Sequence, residues 1–204
     1  MSLVDSTLAE RVLERALARG GSFAELYAEA RQGFSLSIDD SRVERPQGGR
    51  ERGACLRVVS GESSYYGHVD GLAEGDLLRV ADSVAQGLRE DARAPAALAA
   101  IERAPGHAVE TRPDDVPAAR KADLLRACDE RARGASSEVT QAHIGYGESR
   151  RQVEVFNSDG RAAADDRTRV RLSAQVVARR DGRVETGTDT LGGHAGWELL
   201  EDDP

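Results

Sequence analysis

Alternation constrains this chain more than any other feature. Val170, Leu172, Ala174 and Val176 recur at every second position, with Arg171, Ser173 and Gln175 between them. A helix would scatter such residues around its axis, whereas a strand places all four on one face. Phe34, Leu36 and Ile38 repeat the pattern against Ser35 and Ser37. Half-buried strands of this kind need a second layer to cover their apolar face, and segments with helical spacing can supply it. Leu8, Val12, Ala16 and Leu17 form one such stripe, and Leu77, Ala81, Val84 and Leu88 form another. A third helix over 116–133 turns Leu124, Leu125 and Cys128 inward, admits Pro117 in its first turn and ends at Gly134.

Local signals punctuate these elements. Thr7-Leu8-Ala9-Glu10 fits a capping box, and Gly20-Gly21 supplies a left-handed stop. Gln32-Gly33 suits a tight hairpin between strands 24–31 and 34–38, while Pro46 and Gly48-Gly49 read as a loop over 45–52. Strands follow at 54–59 and 63–69 around a Ser60-Gly61-Glu62 turn, then at 139–145, 152–157 and 168–179. Ser158-Asp159-Gly160 and Arg180-Asp181-Gly182 are turn signals, since glycine accepts positive φ. Four prolines at 95, 105, 113 and 117 mark a boundary near Pro105. The expectation is an α+β fold with antiparallel sheets and packed helices. It divides into two subdomains, 1–104 and 105–204.

The bulk properties exclude some classes. Thirty-six acids against 28 bases give a net charge of −8, which argues against a general nucleic-acid binder. Lys121 is the only lysine, and the scattered arginines read as a composition bias. Cys55 and Cys128 stand outside any CxxC frame and read as reduced thiols packed in the core, Cys128 on a helix stripe and Cys55 beside Leu56 and Val58. No signal peptide opens the sequence and no apolar run reaches membrane-spanning length, so a soluble cytoplasmic protein is expected.

Catalytic chemistry is hard to find. His68, His107, His143 and His194 lie far apart in sequence and none is followed by Glu. No G-x-S-x-G elbow or phosphate-cradling loop occurs. The pairs Asp39-Asp40, Asp114-Asp115 and Asp165-Asp166 read as turn or surface acids. Tyr65, Tyr66 and Trp197 read as core aromatics. No catalytic, cofactor-binding or metal-ligating residue is assigned in this chain.

Several short motifs nevertheless occur in a telling order. They are Ala24-Glu25-Leu26-Tyr27, Gly53-Ala54-Cys55-Leu56-Arg57-Val58, Tyr66-Gly67, Asn157-Ser158-Asp159-Gly160 with the hairpin after it, and Gly192-Gly193 with Gly196-Trp197-Glu198. Together they resemble the first and second regions of the TldD/PmbA family of zinc metalloproteases, also known as modulators of DNA gyrase, and more closely the TldD branch. Cys55 departs from the pattern, standing where that family is expected to carry glycine. The resemblance implies the amino-terminal portion of a cytoplasmic, dimeric hydrolase acting on peptides or unfolded proteins, as a homodimer or with a PmbA/TldE-type subunit. The family's zinc is held by an HExxxH helix and a distant cysteine. No position here matches them, so zinc is implied only for a longer protein and the present chain is expected to be inactive alone. The alternative expectation is a non-catalytic peptide-binding or dimerisation module, or a gyrase-modulating partner protein, of the same family.

Overall fold

A computed structural model describes residues 2–89 and 91–201. Three helices, α1 (Ser6–Ala16), α2 (Glu74–Ala85) and α3 (Ala118–Gly134), accompany eight strands. These are β1 (Phe23–Asp39), β2 (Arg42–Val43), β3 (Gln47–Ser60), β4 (Ser63–Asp70), β5 (Glu102–Arg103), β6 (Val139–Asn157), β7 (Ala162–Arg180) and β8 (Arg183–Gly193). They form one sheet in the order β4-β3-β1-β6-β7-β5, with β2 on β1 and β8 on β7. The fold is α+β. Antiparallel pairing joins β3 to β4 and β7 to β8, and β5 makes a two-residue parallel pairing with Ala163 and Ala164.

The long strands correct three boundaries. Gln32-Gly33 is no hairpin, because β1 runs through it unbroken for 17 residues. The reversal comes at Asp40 and Ser41, both with positive φ (50° and 63°), a backbone that suits a two-residue hairpin turn. The span 45–52 is largely strand, not loop, since β3 begins at Gln47. A Cβ on Gly48 would lie 3.3 Å from the Gly33 carbonyl oxygen, so these glycines serve close strand approach. Strands 139–145 and 152–157 are likewise one continuous β6 of 19 residues.

Contacts divide the chain into two compact units, each drawing on three segments. The first comprises the chain up to Arg31, Arg50–Gly106 and Arg151–Asp166. Its core joins Val12, Leu13 and Leu17 of α1 and the residue after it with Leu77 and Ala81 of α2. Beneath them lie Ala24, Leu26, Leu56, Val58 and Phe156 from the strands. Even-numbered residues of β1 and β3 face the helices, as do odd-numbered residues of β4 (Tyr65, Val69), each with the period two of a strand. Asp5, not Thr7, caps α1, accepting the Thr7 N–H at 2.9 Å. Glu10 is therefore not part of a capping box, and its carboxylate accepts the Leu98 N–H at 3.0 Å. The proline-rich stretch is tied down in the same way, through Ala96 N–H to Ser158 and Ala99 N–H to Gly160.

The second unit comprises Gln32–Gly49, His107–Arg150 and Arg167 onward. Here α3 covers Leu36, Ile38, Ile144, Tyr146, Val170 and Leu172, with Trp197 and Leu200 closing the cluster. Leu125 is fully buried, while Leu124 and Cys128 are only partly so. The buried stripe of α3 instead carries Lys121 and Asp129. Lys121 meets Glu148 at 2.5 Å and lies over the rings of Phe34 (4.7 Å) and Tyr146 (5.5 Å). Pro117 is the N-cap of α3, not a first-turn residue.

Candidate functional site

The face of the first unit's strands turned away from α1 and α2 is open. On it lies a depression of about 780 Å³, lined chiefly by Tyr27, Glu29 and Arg31 of β1, Arg50–Cys55 of β3 and His68–Gly71. Odd-numbered β1 and β3 residues face it because the even ones are in the core. Gly53 shapes the floor. A Cβ there would meet the Val69 carbonyl oxygen at 2.7 Å, so any side chain would force β3 and β4 apart.

A polar network occupies this face. Arg151 Nη2 donates to Glu29 Oε2 at 2.7 Å and to the Tyr27 hydroxyl oxygen at 3.0 Å, and the Tyr27 hydroxyl donates to Glu29. The Arg151 hydrogen bond, with that from Tyr27, holds the Glu29 carboxyl below its usual range. Burial and the neighbouring Glu29 push the Tyr27 hydroxyl up. Arg31, Arg50 and Arg52 line the depression together with Glu29, Glu51 and Asp70. Such a mixed lining suits a zwitterionic ligand with amide groups better than a polyanion.

Cys55 is not a core residue. It is half-buried on the open face, directly opposite His68 in the β3–β4 register. Tyr66 likewise lies outside the core at 64% exposed, whereas Tyr65 packs against the first core and Trp197 is buried in the second. Folding unites two histidines that the sequence separates. His107 and His194 rings sit 5.3 Å apart, edge to face. Each Nε2 is already an acceptor, from Thr168 N–H at 3.2 Å and Arg169 Nε at 2.9 Å. The acidic pairs are spent elsewhere: Asp40 on Arg133, Asp114 on Gln32 and Asp166 on Gln152. Among the described residues, no three His, Cys, Asp or Glu side chains converge as metal donors. A catalytic zinc needs three such ligands, so the residues present do not fit one.

The recurrent motifs have structural duties instead. In Asn157-Ser158-Asp159-Gly160, Asn157 Oδ1 accepts the Asp159 and Arg161 N–H groups, and Ser158 Oγ accepts the Ala24 N–H at 2.9 Å. Gly160 has φ 86°, and a Cβ there would strike the Ala97 carbonyl oxygen at 2.7 Å. In the last motif, Glu198 accepts the Gly196 N–H at 2.7 Å and the Thr111 N–H at 3.0 Å. Burial disfavours the Glu198 charge, but these backbone donors outweigh it and lower its pKa.

Comparison with known proteins agrees with these motifs. Residues 24–104 match the family model for PmbA/TldA metallopeptidase domain 1, and residues 111–203 match that for the central domain. A metalloprotease TldD homolog from Haemophilus influenzae is 27% identical over 181 residues, covering 87% of this chain and 38% of that protein. A metalloprotease from Methanothermobacter thermautotrophicus is 24% identical over 180 residues, 88% of this chain and 39% of that one. The chain thus spans well under half the length of these relatives. Among solved structures, a candidate modulator of DNA gyrase from Bacteroides thetaiotaomicron superposes with a TM-score of 0.71 at 17% identity, over 95% of this chain and 46% of that one. TldE from Thermococcus kodakarensis gives 0.64 at 13% identity, over 85% and 40%. With both family regions matched in order along its length, the chain belongs to the PmbA/TldD metallopeptidase family.

Proposed function

We propose that this chain is the amino-terminal portion of a TldD-like zinc metalloprotease acting on peptides or unfolded proteins. In this reading its two regions, 1–104 and 105–204, hold polypeptide and supply no zinc ligand. The metal belongs to residues of a longer cytoplasmic protein, and the chain alone is inactive. The observation that carries the reading is the order of the matches, domain 1 followed by the central domain over 38% of a TldD homolog's length. The open depression supports it, because its alternating arginines and carboxylates suit a peptide's amides and mixed side chains. Assembly with a second chain, either another copy or a PmbA/TldE-type subunit, is part of the proposal.

Unfolded, fluorescently labelled casein provides the test. The 204-residue chain should raise its anisotropy without cleaving it, with or without added zinc. Arg50→Ala with Arg52→Ala should weaken that binding. Cleavage by the chain alone would overturn the placement of the zinc elsewhere, and absence of binding would overturn the peptide role. The names of the structural neighbours favour a second reading, a protein partner of DNA gyrase, for which the net charge of −8 suits a protein surface better than DNA. Gyrase that fails to retain the chain in a pull-down would remove it.

A further inference from the structure

Among the described strands longer than two residues, β8 alone has every residue exposed, from Arg183 to Gly193. It pairs with β7 alone, in an unbroken register from Arg180↔Arg183 to Val170↔Gly193. It therefore has no bulge, and it contains neither proline nor lysine. Those are three of the devices that keep an edge strand from pairing, and the charges β8 does carry, Arg183, Glu185 and Asp189, are of mixed sign. The turn before it, Asp181 (φ 49°) and Gly182 (φ 79°), is a two-residue hairpin turn that closes on the Arg180–Arg183 pair. Odd-numbered β8 residues thus bond to β7, and Val184, Thr186 and Thr188 direct their N–H and C=O groups outward. The outward Thr190 N–H is taken up by the Asp189 carboxylate at 2.7 Å, which ends the open stretch.

We propose that β8 is the surface through which a second copy of this chain docks, by antiparallel pairing of β8 with β8 about a two-fold axis at Thr186. This rests on the two-chain assembly put forward above and names its contact. Charge selects the partner, and charge together with length of overlap selects the register: centring on Val184 would also pair Arg183 with Glu185, but would engage only residues 183–185 of each strand. With Thr186 opposite its own copy, Val184 opposes Thr188 and Arg183 opposes Asp189, and symmetry makes each contact twice. Centring on Gly187 would set Glu185 against Asp189, and centring on Glu185 would set that residue against itself. Like charges directly opposite each other are unfavourable in a sheet, and opposite charges are favourable. The strand is self-complementary in the Thr186 register, as an isologous interface requires.

Charge-swap complementation, read by sedimentation velocity on the 204-residue chain, tests the proposal. The wild-type chain should move from its 21.9 kDa monomer toward twice that mass as concentration rises. Arg183→Asp leaves two acids facing each other, and Asp189→Arg leaves two bases. Each variant alone should stay monomeric at tenfold higher concentration, while an equimolar mixture should dimerise again. Thr186→Pro should also remain monomeric with unchanged circular dichroism, because the N–H it removes points away from β7. Single variants that dimerise like wild type would overturn β8 as the contact while leaving the two-chain reading intact. A wild-type chain that stays monomeric throughout would overturn pairing with a second copy itself.

Discussion

Replacing Lys121 with alanine should destabilise the second unit far more than loss of a lysine ordinarily does. The Lys121 and Glu148 side chains are only 4% and 9% exposed, with 2.5 Å between nitrogen and oxygen. Removing one member of a buried pair strands the other charge, at a cost of about 3–5 kcal/mol. Lost contacts with the Phe34 and Tyr146 rings add about 0.5–2 kcal/mol. The Tyr146 hydroxyl donates to Glu148 with or without Lys121, so it leaves these figures unchanged. The net loss is then about 3.5–7 kcal/mol, or roughly 10–20 °C in Tm for a chain of this size. Trp197, 5.7 Å from Tyr146, reports the transition by fluorescence during guanidinium denaturation. Lys121→Met combined with Glu148→Leu should regain part of the loss, because an apolar pair removes both ionic desolvation costs while leaving the buried Tyr146 hydroxyl without its acceptor. A loss below about 1 kcal/mol for Lys121→Ala would refute the argument. So would a double variant no better than the single.

Three further outcomes follow from other contacts. Glu154 is buried and accepts the Ser2 hydroxyl and the Leu3 and Val4 N–H groups, so Glu154→Ala should abolish hydrogen-exchange protection at Leu3 and Val4 and cost about 2 kcal/mol. Gly53→Ala should cost about 1–3 kcal/mol in urea denaturation, because the added Cβ meets backbone at 2.7 Å. Glu29 and Glu198 both have lowered pKa values in the folded state. Their contribution is therefore present above the unfolded value of about 4.3 and is lost as pH falls through the folded one. Glu198→Gln should flatten the acid limb of stability measured by Trp197 fluorescence, and an unchanged limb would count against the backbone clasp.

The elements most legible in the sequence were those whose apolar spacing was long and regular. Leu77, Ala81, Val84 and Leu88 all lie in the first core, as their period requires. The Ser60-Gly61-Glu62 and Arg180-Asp181-Gly182 turns were legible because glycine marks positive φ. The same cue misled at Gln32-Gly33 and Gly48-Gly49, where glycine permits close strand approach and the reversal uses Asp40 and Ser41. Glu10 fits a capping box by spacing, but its carboxylate bonds Leu98, 88 positions away. The candidate site was largely illegible for a similar reason. Tyr27, Glu29, Cys55, His68 and Arg151 share the open face only because four strands, β4, β3, β1 and β6, lie side by side, and no local spacing encodes that. Strand parity held the missing signal for Cys55: it is odd, while its buried neighbours Ala54, Leu56 and Val58 are even.

The central claim is that this chain binds polypeptide within a longer enzyme whose zinc lies elsewhere. Mass spectrometry of the endogenous protein, isolated under native conditions and scored for bound zinc, tests it most directly. The account predicts a species more than twice the 21.9 kDa of this chain, carrying zinc on residues outside it. A stable 21.9 kDa protein without zinc would contradict it and establish a free-standing module instead.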